Sequence, residues 1–304
     1  MLESIGSILG ANMSLNGTQS DDVSTKSHEA PPPVPCEFCG KLREHKSYKI
    51  GSMFIHSPFL EPCDCIEGKA AYEREQAAAR KQAEKEEQEK KDRKHQELVA
   101  EARRESNLSL KFSQGTFDTF NVDDNNRAAY NVAREYVANF DEQLPTQGRA
   151  PQGKNGLFIL GANGTGKTHL AAAIANSILD MGIQVVIGTT LDLLGKIKEM
   201  FQYEGGEVEM LKKYKTVPLL VIDDIGKEQS TEWSVSTIFN IINGRYEACL
   251  PTIVTSNYEK AAFINELTPK ETRDNTTAIA TYDRLREMCR GVRLFGESRR
   301  GGVQ

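Results

Sequence analysis

No apolar run in the chain approaches the ~18 residues that a membrane-spanning helix needs. The N-terminus also lacks the basic stretch followed by an apolar core that marks a secretory signal. A cytosolic location with no membrane partner is therefore expected. Positive charge is in deficit, with a formal net charge of −5 over 304 residues. Nothing attracts nucleic acid globally, so any DNA contact must come from a local basic patch. Cysteine is scarce and unevenly placed. Cys36, Cys39, Cys63 and Cys65 cluster, while Cys249 and Cys289 stand alone in helix-like segments. In a cytosolic chain that clustering argues for metal rather than disulfides. Internal repeats are absent as well.

The composition changes along the chain in four blocks. Residues 1–35 are rich in Ser, Asn, Gly and Asp and end in the run Pro31–Pro35, which reads as a disordered leader. Residues 36–65 hold the cysteine cluster. Residues 66–111 are dominated by Ala, Glu, Lys, Arg and Gln, a helix by propensity alone. Glu86/Lys90, Glu87/Lys91 and Glu89/Arg93 have the favourable i,i+4 order, but no apolar heptad seam runs through the middle. Between Glu67 and Glu105 eleven acidic residues balance eleven basic ones. That balance predicts a solvated helical linker, not a DNA-binding arm. From residue 112 to 304 the composition is globular. A helix is predicted over 128–141 from the spacing of Tyr130, Ala133, Val137 and Phe140. Strands are predicted at LFIL (157–160), IQVVIG (183–188), VPLLVID (217–223), PTIVTS (251–256) and VRLF (292–295), alternating with helices. The expectation is an α/β domain with a parallel five-stranded sheet.

Chemistry enters at Gly161, Ala162, Asn163, Gly164, Thr165, Gly166, Lys167 and Thr168, a complete G-x-x-x-x-G-K-[ST] phosphate loop. It follows one predicted strand and opens one predicted helix, the context such a loop requires. Its glycines let backbone N–H groups wrap phosphates, Lys167 is expected to reach the β/γ-phosphates, and the Thr168 hydroxyl to bind Mg²⁺. No N-K-x-D guanine-reading motif follows, which favours ATP over GTP. LLVIDDIG at 219–226 ends a strand in two carboxylates: Asp223 is expected to hold Mg²⁺, and Asp224 to orient or deprotonate the attacking water. PTIVTSN ends its strand in Asn257. A strand inserted between those of the phosphate loop and of Asp223 would place that amide near the γ-phosphate, although Asn after a strand is also ordinary turn chemistry. The stretch from Arg284 to Arg300 carries six arginines against Glu287 and Glu297, the one strongly basic segment. It suits phosphoryl or nucleic-acid contacts, with some arginines as plain helix-surface charge.

Taken together, these motifs resemble the AAA+ superfamily. Within it LLVIDDIG, RYEACLPTIVTSN, YDRLREMC and the closing GESRR look like the bacterial and phage helicase-loader family of DnaC/DnaI type, with IstB-type transposition ATPases as near relatives. The resemblance covers roughly residues 112–300. It implies that Lys167 and Thr168 belong to Walker A, Asp223 and Asp224 to Walker B, and Asn257 to sensor 1. It further implies that Arg284 is an arginine finger acting in trans on the next subunit's ATP, and that Arg300 is sensor 2. Phe117 and Phe120 of TFDTF are assigned to the adenine end. Asp224 stands where many AAA+ enzymes have Glu, which suits slow, switch-like hydrolysis. The short segment after the last strand implies that the usual helical lid is missing, a loader trait.

The spacing Cys36-x2-Cys39-Gly40 is that of a zinc knuckle, and Cys63-x-Cys65 completes four ligands, with His45 or His56 as possible replacements for one member. So little apolar material lies there that a metal is needed to hold the piece together. The DnaI-like branch uses such a module to contact the replicative helicase. The implied function is an ATP-dependent helicase loader in a bacterial cell, encoded by the bacterium or its phage. It would self-associate through the AAA+ domains and hold single-stranded DNA, for which Lys196, Lys198 and Phe201 are candidate contacts or else ordinary surface and core. The alternatives are an IstB-like transposition regulator and a nucleotide-controlled zinc adaptor without a motor role.

Overall fold

The computed structural model describes residues 31–50, 53–106, 108–146 and 149–299. The first thirty residues of the predicted leader, and Arg300, lie outside them. The chain divides into two compact units, Met1–Glu87 and Gln88–Gln304.

The first unit is built from two short antiparallel ladders. β1 (Val34–Pro35) pairs with β2 (Leu42–Arg43), and β3 (His45–Ile50) with β4 (Met53–Leu60). β1 thus begins within the stretch read as leader. Between β1 and β2 the chain turns at Gly40, whose φ of +73° is left-handed and favours a residue without a Cβ. The turn closes with Gly40 N–H donating to Cys36 O at 2.9 Å and Cys36 N–H to Lys41 O at 2.8 Å. Directly after Cys65, α1 begins (Ile66–Ser106, 41 residues).

The last turns of α1 belong to the second unit and already carry core contacts. Ala102 is 2% exposed within the main core, and Arg103 pairs with Asp180 at 2.5 Å. Packing therefore begins ahead of residue 112, because the apolar edge consists of Leu98 and Ala102 one turn apart, too short a stripe to stand out among so many charges. After α2 (Leu110–Ser113), α3 (Arg127–Ala138) and α4 (Phe140–Gln143) come the alternating elements: β5 (Gly156–Gly161), α5 (Lys167–Asp180), β6 (Val185–Thr189), α6 (Thr190–Glu199), α7 (Gly206–Thr216), β7 (Leu219–Asp223), α8 (Glu232–Glu247), β8 (Thr252–Ser256), α9 (Lys260–Leu267), α10 (Thr276–Met288) and β9 (Cys289–Leu294).

The five strands β5 to β9 form one parallel sheet in the order β6-β7-β8-β5-β9. Side chains alternate between its faces with the period of two expected of strands. Leu157, Ile159, Leu219, Val221 and Ile253 join the core shared with α3 and α5, whereas Phe158, Leu220, Ile222 and Val254 join the core of α6 to α10. Burial on both faces explains why these strands read as continuous apolar runs. Cys249 and Cys289, expected inside helices, are not: Cys249 occupies the turn before β8 with φ +52°, and Cys289 opens β9. Helix-forming neighbours misled there, since α8 and α10 each end immediately before the cysteine or one residue earlier.

Candidate functional site

The phosphate loop leaves the carboxyl end of β5 and enters α5, with Gly164 at φ +81° and Gly166 at φ +101°. Both glycines are closely covered. A Cβ on Gly166 would sit 3.3 Å from the Phe120 ring, and one on Gly164 would overlap Ser298. Lys167, only 4% exposed, donates to Ala162 O at 2.8 Å and so curls over its own loop. The loop walls a cavity of about 530 Å³ together with Lys111, Gln114, Gly115, Thr119, Asp224 and Arg299.

Because β8 is inserted between β7 and β5, its last residues reach the Walker B carboxylates. Asp223 is completely buried and accepts from Thr168 Oγ1 at 3.0 and 2.9 Å and from Thr255 Oγ1 at 2.7 Å. Burial pushes its carboxyl above the usual range, against the pull of the Thr255 and Thr168 hydroxyls. Thr255 Oγ1 also accepts from Asp224 N–H at 2.9 Å. Asp224 has φ +57°, uncommon for a residue with a side chain, and its Oδ2 is 2.9 Å from Lys227 Nζ. This donor set fits a hydrated magnesium ion: one carboxylate and one hydroxyl side by side, leaving room for water and phosphate oxygens.

The structure separates other predicted residues. Asn257 lines a second cavity of about 390 Å³ with Gly161, Ala162, Glu259 and Arg293, not the first cavity. Its Oδ1 is buried without a hydrogen-bond partner, the kind of group a bound ligand or water satisfies. Phe117 and Phe120 are each 7% exposed, packed on Tyr130. Neither lines the cavity: Phe120 packs against the loop at Gly166, and Gln114, Gly115 and Thr119 contribute to the cavity wall. Arg284 donates to Asn243 at 3.1 Å and lies 4.5 Å over the Tyr246 ring. It precedes β9, whose first residue Cys289 is level with Gly156 at the start of β5. Arg284 is thus at the end of the sheet opposite the phosphate loop. Of the three candidate DNA residues, Lys198 and Phe201 meet on Trp233, at 4.7 and 5.8 Å from its ring centre. Lys196 lines a separate groove with Gly188 and Leu191.

Sequence reasoning missed Thr255 and did not single out Arg299 from the six arginines of its segment. Thr255 could have been found as the residue two places before Asn257, near the end of β8. Arg299 lies at the loop itself: its N–H donates to Gly164 O at 3.0 Å, and its guanidinium binds Asn121 O and the Asp123 carboxylate.

In the first unit the sulfur atoms of Cys36, Cys39, Cys63 and Cys65 all lie within 4.8 Å of one another. Cys36 and Cys65 are 3.8 Å apart, and Cys39 and Cys63 3.3 Å. Tetrahedral zinc with Zn–S of about 2.3 Å needs sulfurs about 3.8 Å apart, so the set fits that ion. Backbone N–H groups of Phe38 and Cys39 hold the Cys36 thiol down to about 6, which favours the thiolate a metal requires, whereas, against the backbone N–H groups of Lys41 and Gly68, burial and the neighbouring sulfurs push Cys39 and Cys65 up. His45 and His56 are engaged elsewhere, with Ser57 O at 2.9 Å and Ser47 Oγ at 2.7 Å respectively. They do not replace a cysteine in the cluster.

No helix among the described residues is long and apolar enough to cross a membrane. The chain is 32% identical over 149 residues to the replicative helicase loader DnaC of Escherichia coli K12, covering 48% of this chain and 57% of that one. It is 29% identical over 188 residues to the replicative helicase loader DnaI of Bacillus subtilis 168, covering 61% and 58%. It therefore spans little more than half the length of these relatives. A crystal structure of the DnaC helicase loader superposes with a TM-score of 0.50 at 26% identity, covering 62% of this chain and all of that one. The parallel sheet with its phosphate loop is accordingly an AAA+ fold. Residues 79–302 match the model of the IstB-like ATP-binding proteins, and the chain belongs to that family.

Proposed function

We propose that this protein is an ATP-dependent loader of the replicative hexameric helicase. The observation that carries the reading is the assembly of Lys167, Thr168 and Asp224 at one cavity, with buried Asp223 accepting from Thr168 behind it, in a chain similar to two named helicase loaders. Bound with Mg²⁺, ATP supplies an anhydride bond whose hydrolysis separates two states of the protein. The loop from Gly161 to Thr168 and the Lys167 ammonium bind its phosphates, and Thr168 and Asp223 hold the ion. Asp224 orients the attacking water and accepts its proton, while Asn257 approaches from the adjoining cavity. The seat of Arg284 far from its own loop supports a role on a neighbouring subunit's nucleotide, so self-association completes the site and turnover is slow. Arg300 is the sensor 2 candidate. The four cysteines hold zinc, and residues 36–65 grip the helicase. Residues 66–111 link that module to the ATPase domain of residues 112–304. Lys198 and Phe201, with Trp233, offer cationic and aromatic contacts to single-stranded DNA.

Co-purification tests this. The tagged protein should retain a hexameric helicase in the presence of ATP, and Lys167→Ala should retain it without ATP-dependent loading onto single-stranded DNA. Failure to bind any replicative helicase sinks the reading. The family match to IstB-like proteins favours a second one, a transposition regulator, and recovery of a transposase in the same experiment would establish it. A zinc adaptor without a motor role would function unchanged as Asp224→Asn.

A further inference from the structure

The segment that follows β7 is anchored on both sides of Lys227. Asp224 is tied through its N–H to Thr255, and buried Ile225 donates to Thr255 O at 3.0 Å and accepts from Ser256 Oγ at 3.1 Å. Gly226, at φ +92°, donates to the Glu228 carboxylate at 2.8 Å, and Glu228 is itself only 7% exposed. Between these anchored neighbours Lys227 projects outward. Its ammonium lies 2.9 Å from Asp224 Oδ2 and 3.4 Å from Asn163 Oδ1, so it spans from the Walker B carboxylate to the phosphate loop. Both partners line the main cavity. The side chains of Lys227 and Asp224 are 33% and 21% exposed, so this pair is more sheltered than the solvated surface pairs that contribute little. An i,i+3 pair on a helix would be routine, but here the spacing arises from two left-handed residues in a loop.

We propose that Lys227 recognises the terminal phosphate of a nucleoside triphosphate, and that this phosphate and Asp224 compete for its ammonium. The proposal rests on the nucleotide-site reading above and deepens it. An ammonium 2.9 Å from Asp224 Oδ2 occupies the oxygen that would otherwise face the attacking water. Transfer of that ammonium to a terminal phosphate leaves Asp224 a free acceptor only when a triphosphate is bound. A diphosphate offers no such competitor, and the ion pair with Asp224 persists. Lys227 thus distinguishes ATP from ADP and couples that distinction to the water-orienting group.

The test is equilibrium binding of fluorescent ATP and ADP analogues to the full-length protein in the presence of Mg²⁺. Lys227→Met should lower the preference for triphosphate over diphosphate about tenfold, the size of one charge-assisted contact, with diphosphate affinity within about twofold of wild type. Lys227→Arg should keep most of the preference. Asp224→Asn, which removes the competitor, should tighten triphosphate binding in the wild-type background and leave it unchanged in Lys227→Met. An unchanged preference in Lys227→Met, with diphosphate still bound, overturns the proposal alone and leaves Lys227 as an anchor of Asp224. Wild-type protein that binds neither nucleotide overturns the nucleotide-site reading, and the proposal with it.

Discussion

Asp223 and Glu228 are both buried carboxylates on the same short stretch, yet their surroundings differ. Three hydroxyl contacts converge on Asp223, whereas Glu228 has one oxygen on Gly226 N–H and the other buried without a partner. Burial raises the Glu228 carboxyl above its ordinary 4.5. In that window the folded protein binds a proton that the unfolded chain has released, so Glu228 makes stability fall as pH rises. Glu228→Gln removes that slope while keeping an acceptor for Gly226. Thermal unfolding from about pH 5 to about pH 8 should show the melting temperature of the variant gaining on wild type as pH rises. Parallel curves would exclude the assignment. The amide's own burial shifts the variant equally at every pH, so only the slope matters. The phosphate loop, Asp223 and Asp224 were legible as residues because backbone geometry and phosphate chemistry restrict their types and spacing. Thr255 and Lys227 were not, since each acquires its partner only once β8 lies beside β7 and the loop turns back.

At the scale of elements, the central strands β7 and β8 were legible because every residue in them is buried, and the edge strand β9 because Val292 and Leu294 alternate with exposed arginine. The helix ends at Cys249 and Cys289 were not, and Arg245 shows why local sequence falls short. It lies in the RYEACLPTIVTSN motif that signalled the family, yet it is fully buried and touches no nucleotide-site residue. Its guanidinium donates to Tyr214 O at 2.9 Å, Val217 O at 2.8 Å, Pro251 O at 2.5 Å and Thr252 Oγ1 at 2.9 Å. Desolvation lowers its pKa to about 9. These bonds fasten the end of α7 and the approach to β8, and so set the insertion that brings Thr255 to Asp223. Arg245→Met leaves several buried carbonyls without a donor and should cost about 3 kcal/mol or more in denaturant unfolding. A loss below about 1 kcal/mol would show that the loops satisfy themselves.

For the whole molecule, the cysteine cluster and the second unit draw stability from different sources. The second unit has two continuous apolar cores, whereas the first unit exposes Phe38, Leu42, Tyr48 and Phe59 and, among its described hydrophobic residues, buries Cys36 and Cys63. A metal is what such a small unit needs. Metal analysis of purified protein should find about one zinc per chain. Cys39→Ser should remove it and abolish helicase binding while leaving ATP binding intact. Zinc-free protein that still binds the helicase would separate the metal from that role.

By itself the sequence determined the α/β class, the phosphate loop between its strand and helix, and the set of four thiols. Each depends on residue type at short range: apolar period, glycine at left-handed turns, and thiols two apart. Only the tertiary structure decided that Arg284 faces away from its own loop, that Asn257 and Asp224 serve different cavities, that Phe120 packs against the loop at Gly166, and that Lys227 bridges Asp224 to Asn163. Those relations depend on strand order and on side chains far apart in the chain, and no local pattern encodes which distant residues will share a few ångströms of space.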